Sequence, residues 1–188
     1  MSDADRLRWE AHYRDKGPST REPSSFLVSL DEVLPRRGRA LDVAGGAGRN
    51  AVWLARRGLA VTALDISETA LAIARTDAAR AGVVLSTLAI DLEVEPLPPG
   101  PWDLVLSFHY LQRGLFARFP EVLAPGGLLV YVQATRSNLE RWERPSERFL
   151  LEDGELARLV TGLEVLRLEE GWLDEGHHDA RLLARKPL

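Results

Sequence analysis

The sequence predicts an α/β protein: a doubly wound, mainly parallel seven-stranded sheet with a C-terminal antiparallel hairpin. Three observations carry this. Short apolar runs alternate with helical patterns across residues 39–133, the mark of successive βαβ units. The first run ends in "ALDVAGGAGRNAVWLARRG", residues 40–58, where Gly46-Ala47-Gly48-Arg49-Asn50-Ala51 fits the G-x-G-x-x-G/A fingerprint of a Rossmann-like loop. The last two β-type runs, 164–169 and 180–185, lie too close for an intervening helix, so they must pair as a hairpin.

The elements follow in order. Trp9 and Tyr13, four apart, share one face of an N-terminal helix that Lys16-Gly17-Pro18-Ser19 ends. Apolar positions 26, 27, 30, 33 and 34 have helical period, and Pro35 to Gly38 stop it. Strand one covers 39–43, and a helix over 48–57 closes on Gly58. Strand two covers 60–64. Ser67 caps an alanine-rich helix over 68–81, which Gly82 ends. Strand three lies within 83–90 and strand four at 103–107. A helix is predicted over 112–123, strand five over 128–133 and one more helix over 152–160. The hairpin loop is expected to hold Gly171, Gly176, His177 and His178.

At 188 residues the chain reads as one domain: a helical extension or lid over 1–35, a cofactor-binding core over 36–134, and a helix and hairpin over 135–188. It is too short for a dinucleotide domain plus a full catalytic domain. With no cysteine, disulfides, thiolate catalysis and thiolate metal sites are excluded. No metal site is expected. A net charge of -4 suggests no nucleic-acid partner. Apolar runs too short for a bilayer and a polar, acidic start suggest a cytoplasmic protein without membrane association, a monomer or homodimer.

The glycine loop narrows the ligand. Gly46 and Gly48 let a ligand approach the backbone, and the following helix turns free N–H groups toward it. Glycine turns between strand and helix are also common structural devices, so the loop alone decides little. Asp42, four residues before Gly46, disfavours a pyrophosphate at the loop mouth. Asp65 closes strand two in "VTALDIS", where an acid meets ribose hydroxyls, and Asp91 ends strand three in "LAIDLEVEPLP", beside an adenine edge. S-adenosylmethionine (SAM) offers each acid a partner, through its cations, its ribose diol and its adenine.

The segments "ALDVAGGAGRNAVWLARRG", "VTALDIS", "AIDLE", "PWDLVLS" and "LAPGGLLVYV" occur in the order and spacing of the class I SAM-dependent methyltransferases, over about residues 36–134. "RWEAHYRDKG", "GRNAVWLARRG" and "FLLEDGELARLV…LLARKPL" resemble the tellurite-resistance-type small-molecule methyltransferases within that superfamily. The resemblance implies that Asp42, Ala44, Gly46 and Gly48 line the methionine part of SAM. It implies that Asp65 and Ile66 meet the ribose side, that Asp91 with Leu92 frames the adenine, and that Ser107 lies near the methyl donor. Ala44 departs from the family's usual glycine. Alanine tolerates positive φ poorly, so either its backbone is in an ordinary region or the loop is displaced.

Acceptor-side candidates follow strand four in "SFHY", Ser107 to Tyr110. His109 reads equally as a base and as a packed loop histidine. His178 and its neighbour His177, with Arg181 behind, read as a flap over the pocket or as a solvated hairpin tip. Arg136 reads as an anion anchor or an exposed loop arginine; Tyr110 and Tyr13 are further substrate contacts, and Trp9 with Tyr13 a lid or a packing face. The leading expectation is methyl transfer from SAM to a small molecule, a thiol or chalcogen oxyanion by family likeness. A small NAD-dependent oxidoreductase and a non-catalytic SAM-binding regulatory protein remain as alternatives.

Overall fold

The computed structural model describes residues 3–143, 146–174 and 176–188. The polar N-terminal stretch begins at Met1 and Ser2, which lie outside the described residues. Strands β1 (Arg39–Val43), β2 (Ala60–Asp65), β3 (Ser86–Ala89), β4 (Trp102–Phe108), β5 (Leu123–Ala134), β6 (Glu164–Trp172) and β7 (His178–Arg185) form one sheet in the order β3-β2-β1-β4-β5-β7-β6. The first five are parallel, and β7 runs antiparallel between β5 and β6.

Both faces of the central strands are covered, which is why β1 and β4 read as near-continuous apolar runs. One core joins Phe26 and Leu27 of α2 (Ser25–Ser29), Leu54 of α3 (Arg49–Arg56) and Ala74 of α4 (Glu68–Arg80) to Leu106, Val130 and Leu183 of the sheet. The opposite core joins Leu41, Val105 and Tyr131 to Phe119 of α5 (Phe119–Val122) and Leu156 of α6 (Glu155–Leu159). Gly48 permits the α3–α4 contact: a Cβ there would lie 2.7 Å from the Ala74 Cβ. Ser67 caps α4 as expected, its side chain accepting from the Ala70 N–H at 3.1 Å.

Several boundaries depart from the sequence expectation. The helix predicted over 112–123 is a 3-10 turn, Arg113–Ala117, followed by the four residues of α5. Pro120 is the cause, since its ring and missing N–H forbid an α-helix running through it but suit a first turn. β5 starts early, at Leu123, because Leu123 pairs with Trp102 before the register shifts to Leu104 opposite Leu128. β3 is short because the Val83 N–H is spent on the Ala78 carbonyl at the end of α4. Past Ser29 the chain turns through i→i−3 bonds, Leu30 to Leu27 and Val33 to Leu30, so α2 is shorter than the period implied. Gly154, left-handed at φ 71, delays α6 to Glu155. β6 extends to Trp172 and β7 begins at His178, so Gly171 and His178 sit in strands rather than in the hairpin loop.

The N-terminal helix α1 (Asp3–Lys16) has no buried residue. It lies across the amino end of α4, where the Glu10 carboxylate accepts from the Glu68 and Thr69 N–H groups at 2.7 and 3.2 Å. Arg148 pairs with Asp5 at 3.3 Å and holds the helix from the opposite side.

Candidate functional site

The strand order reverses between β1 and β4, and in open α/β sheets the crevice beyond the carboxyl ends at that point is the ligand site. A cavity of about 390 Å³ lies there. Its floor is Asp42 and the Ala44–Ala47 loop, one wall is Asp65, Ile66, Ile90 and Leu92, and the other is Phe108, His109 and Tyr110. Trp9, His12 and Tyr13 of α1 close it from above.

The β1–α3 loop is shaped by backbone geometry that its glycines permit. Gly46 and Gly48 have φ of 56 and 75, and Ala44 also has positive φ, 55. The first alternative drawn for Ala44 from the sequence does not hold: its backbone is not in an ordinary region, and the alanine itself takes the left-handed conformation. The neighbouring Gly45 N–H, held by the Leu64 carbonyl at 2.8 Å, ties the loop to β2. Left-handed backbone at a non-glycine residue costs roughly 1–2 kcal/mol, partly offset by glycine's greater unfolded-state entropy. Ala44→Gly is therefore expected to stabilise the protein by about 0.5–1 kcal/mol, read as a higher urea midpoint at unchanged m-value.

The space over the loop is reserved. A Cβ on Gly46 would sit 2.3 Å from the Tyr13 hydroxyl, and one on Gly45 would sit 2.7 Å from the Asp42 Oδ2. Asp65 braces the same loop: its Oδ2 accepts from the Gly46 N–H at 2.8 Å and its Oδ1 from the Ser67 N–H at 2.9 Å. Each carboxylate oxygen has a second lone pair, so these bonds leave acceptor capacity facing the cavity.

The electrostatics are unusual for acids. Asp42 is 1% exposed, and its Oδ2 has no hydrogen-bond partner among the described residues. Burial, reinforced by Asp65, pushes the Asp42 carboxyl up to about 7. Burial also raises Asp65, against the N–H bonds from Ser67 and Gly46. Tyr13 is pushed up to about 12 by burial and by Asp65. An orphaned carboxylate oxygen beside a second acid, under an aromatic cover, is a receptor for a cation that also donates hydrogen bonds.

Of the residues predicted from the sequence, the cavity brings together Asp42, Ala44, Gly46, Asp65, Ile66, Leu92, His109, Tyr110 and Tyr13. Gly48 caps α3 behind the loop, and Ser107 is fully buried near the end of β4, its Oγ without a hydrogen-bond partner among the described residues. Asp91 stands just outside the lining, its Oδ1 accepting from the Glu93 N–H at 3.0 Å. Arg136 is also outside, paired with Glu147 and Glu152. His178 is bound at the start of β7, inside the sheet, its Nδ1 2.6 Å from the Thr135 Oγ1 and its ring set edge-on to Trp172. His177 stacks at a tilt with Trp142, 6.0 Å between centroids.

Sequence reasoning missed Arg49 and His12. Arg49 opens α3 and reaches the cavity, where its charge acts on Asp42, Tyr13 and His109. Its position inside the glycine fingerprint, directly after Gly48, was the available signal. His12 shares a helical face with Trp9, and their rings meet edge-on at 5.5 Å.

Known proteins share the domain and the fold. Residues 40–127, which hold the loop and strands β1 to β4, match the methyltransferase domain family. A ubiquinone biosynthesis O-methyltransferase of Caulobacter sp. (strain K31) is 36% identical over 107 residues, covering 53% of this chain and 42% of the relative. The chain thus spans less than half the length of that curated relative. TehB from Haemophilus influenzae has the same fold, with a TM-score of 0.75 at 20% identity over 95% of this chain and 67% of TehB. The N-methyltransferase NodS from Bradyrhizobium japonicum WM9, solved with S-adenosyl-L-homocysteine, gives a TM-score of 0.73 at 20% identity over 97% of this chain and 98% of NodS.

Proposed function

We propose that this chain, which carries a methyltransferase domain over residues 40–127, is a SAM-dependent methyltransferase of the class I fold acting on a small molecule. The observation that carries the reading is Asp42, a buried carboxylate with a free oxygen at the mouth of a glycine loop. It suits an ammonium group and repels a pyrophosphate, which disfavours a nicotinamide dinucleotide.

The residues present fit the cofactor. Asp42 takes the ammonium of the methionine part, and Arg49, across the same loop, takes its carboxylate. Gly46 leaves the backbone open beside them. Asp65 holds the ribose hydroxyls while bracing the loop, and Ile66, Ile90 and Leu92 supply an apolar slot for the adenine, with Asp91 at its edge. Bound SAM supplies an electrophilic methyl group on a sulfonium. His109 and Tyr110 follow β4 on the side where an acceptor would meet that group, with Ser107 buried behind them at the strand's end. Trp9 and Tyr13 cover the site and exclude water, and alignment of the reactants under that cover is the protein's main contribution. A thiol or chalcogen oxyanion acceptor is supported by the resemblance to tellurite-resistance-type enzymes and by the shared fold of TehB.

Calorimetric titration separates the alternatives. SAM and S-adenosylhomocysteine are expected to bind competitively and NADH not at all. NADH binding without SAM binding would replace this reading with that of a small oxidoreductase. Intact SAM binding with no methyl transfer to thiol, selenite, tellurite or amine acceptors would favour a non-catalytic SAM-binding protein.

A further inference from the structure

The sheet holds a third buried acid, besides Asp42 and Asp65, that the cofactor reading leaves unused. Asp179 lies on β7 opposite Ala134 of β5, is 5% exposed, and its Oδ1 has no hydrogen-bond partner among the described residues. On β7 it shares a face with Arg181 and Leu183, and Leu183 packs with Val130 and Val132, so the Asp179 side chain leaves the sheet on the face that carries α2 and α3. His109 is fastened to the other edge of β5, its N–H donating to the Val132 carbonyl at 2.8 Å. One strand separates the two residues, and the left-handed backbone of His109, φ 58, sets its ring at the cavity wall.

We propose that Asp179 is a positioning residue for His109: its unpartnered carboxylate oxygen, at the buried edge of β7, orients the imidazole and stabilises the imidazolium formed when His109 takes a proton from the methyl acceptor. The inference rests on the methyl-transfer reading and deepens it, because a base is needed only if the acceptor arrives protonated, as a thiol, hydroxyl or N–H compound. The step then balances. The acceptor's X–H bond breaks and its proton goes to the unprotonated ring nitrogen of His109. The freed electron pair forms the bond to the methyl carbon, and the methyl–sulfur bond breaks with its pair left on sulfur. The proton then passes from His109 to water.

Three charged or titratable groups face the ring. Asp179 from β7 favours its protonated form, while Arg49 from α3 and His177 from the hairpin oppose it. Burial is the largest influence and lowers the proton affinity of His109, and Asp179 partly offsets it.

The test needs no known acceptor. The chain has 4 histidines, so their ring signals can be assigned by substitution and titrated by NMR in the intact, isotope-labelled protein. Asp179→Asn is expected to move the His109 midpoint to lower pH and leave His12 in place, and Arg49→Gln to move His109 to higher pH. Asp179→Ser removes the same charge with a smaller side chain and serves if the asparagine variant does not fold. An unchanged His109 midpoint in a folded Asp179 variant that still binds SAM overturns the proposal. Failure of the wild type to bind SAM overturns the methyl-transfer reading instead, and calorimetry on the same sample reports it separately.

Discussion

Asp42→Asn is expected to raise the melting temperature of the ligand-free protein at pH 8 and to remove most of its affinity for SAM. The two effects share one cause. In the folded chain, burial and Asp65 hold the carboxyl at about 7, against an ordinary value of 3.8. Between those values the native state keeps a proton that the unfolded state has released, so stability falls as pH rises through this window. Above about 7 the full cost is present, up to about 4 kcal/mol at 1.36 kcal/mol per unit. Asparagine never ionises. The variant should match the wild type near pH 4 and exceed it at pH 8, by about 2–4 °C in melting temperature for each kcal/mol recovered. Losing the charge also removes the ammonium's partner, which weakens SAM binding by roughly 1.5–3 kcal/mol, or ten- to a hundredfold. In the wild type, SAM should bind more tightly as pH rises toward 7 and should release a proton below it. Calorimetry in two buffers of different ionisation heat measures that proton. Equal melting temperatures for variant and wild type at pH 8 would refute the buried charge. A destabilised acid kept at the site of ligand contact is the familiar exchange of stability for function.

Asp42 and Asp65 were legible in the sequence because local rules place them. Each ends, or nearly ends, a parallel strand, and parallel strands in such sheets aim their carboxyl ends at one crevice. Ser67 was legible as a cap for the same reason, since its partner Ala70 is three residues away. What escaped the reading depends on distant partners. Asp179 acquires its place only when β7 inserts antiparallel beside β5, so that residue 179 faces residue 134. The reading of Arg136 as an anion anchor or an exposed loop arginine did not include its partners Glu147 and Glu152, which engage it from later turns. Ala44 shows a limit of propensity: the Gly45 N–H bond to Leu64 and the glycines on its carboxyl side impose a left-handed backbone on an alanine.

Trp9→Ala with Tyr13→Ala is expected to separate binding from stability in the other direction. α1 has no fully buried residue, and its ties to the rest of the chain include Glu10 at the start of α4, Asp5 with Arg148, and Arg8 over the Phe149 ring. Neither ring belongs to either core, so the unfolding free energy of the ligand-free protein, read from urea titration, should fall by only about 1 kcal/mol. The bound state is different. Trp9 and Tyr13 line the cavity, and the Tyr13 hydroxyl sits over Gly46, in the gap that the missing Cβ leaves. Aromatic surface that becomes fully buried against a ligand contributes about 1.5–3 kcal/mol per side chain. The double variant should therefore bind SAM about a hundredfold more weakly or worse, with the loss chiefly in the dissociation rate, because the cover no longer retains the ligand. Fluorescence stopped-flow with displacement by S-adenosylhomocysteine measures that rate. An unchanged dissociation rate would mean that α1 packs beside the site without covering it. A large drop in the urea midpoint would mean that the two rings belong to the core.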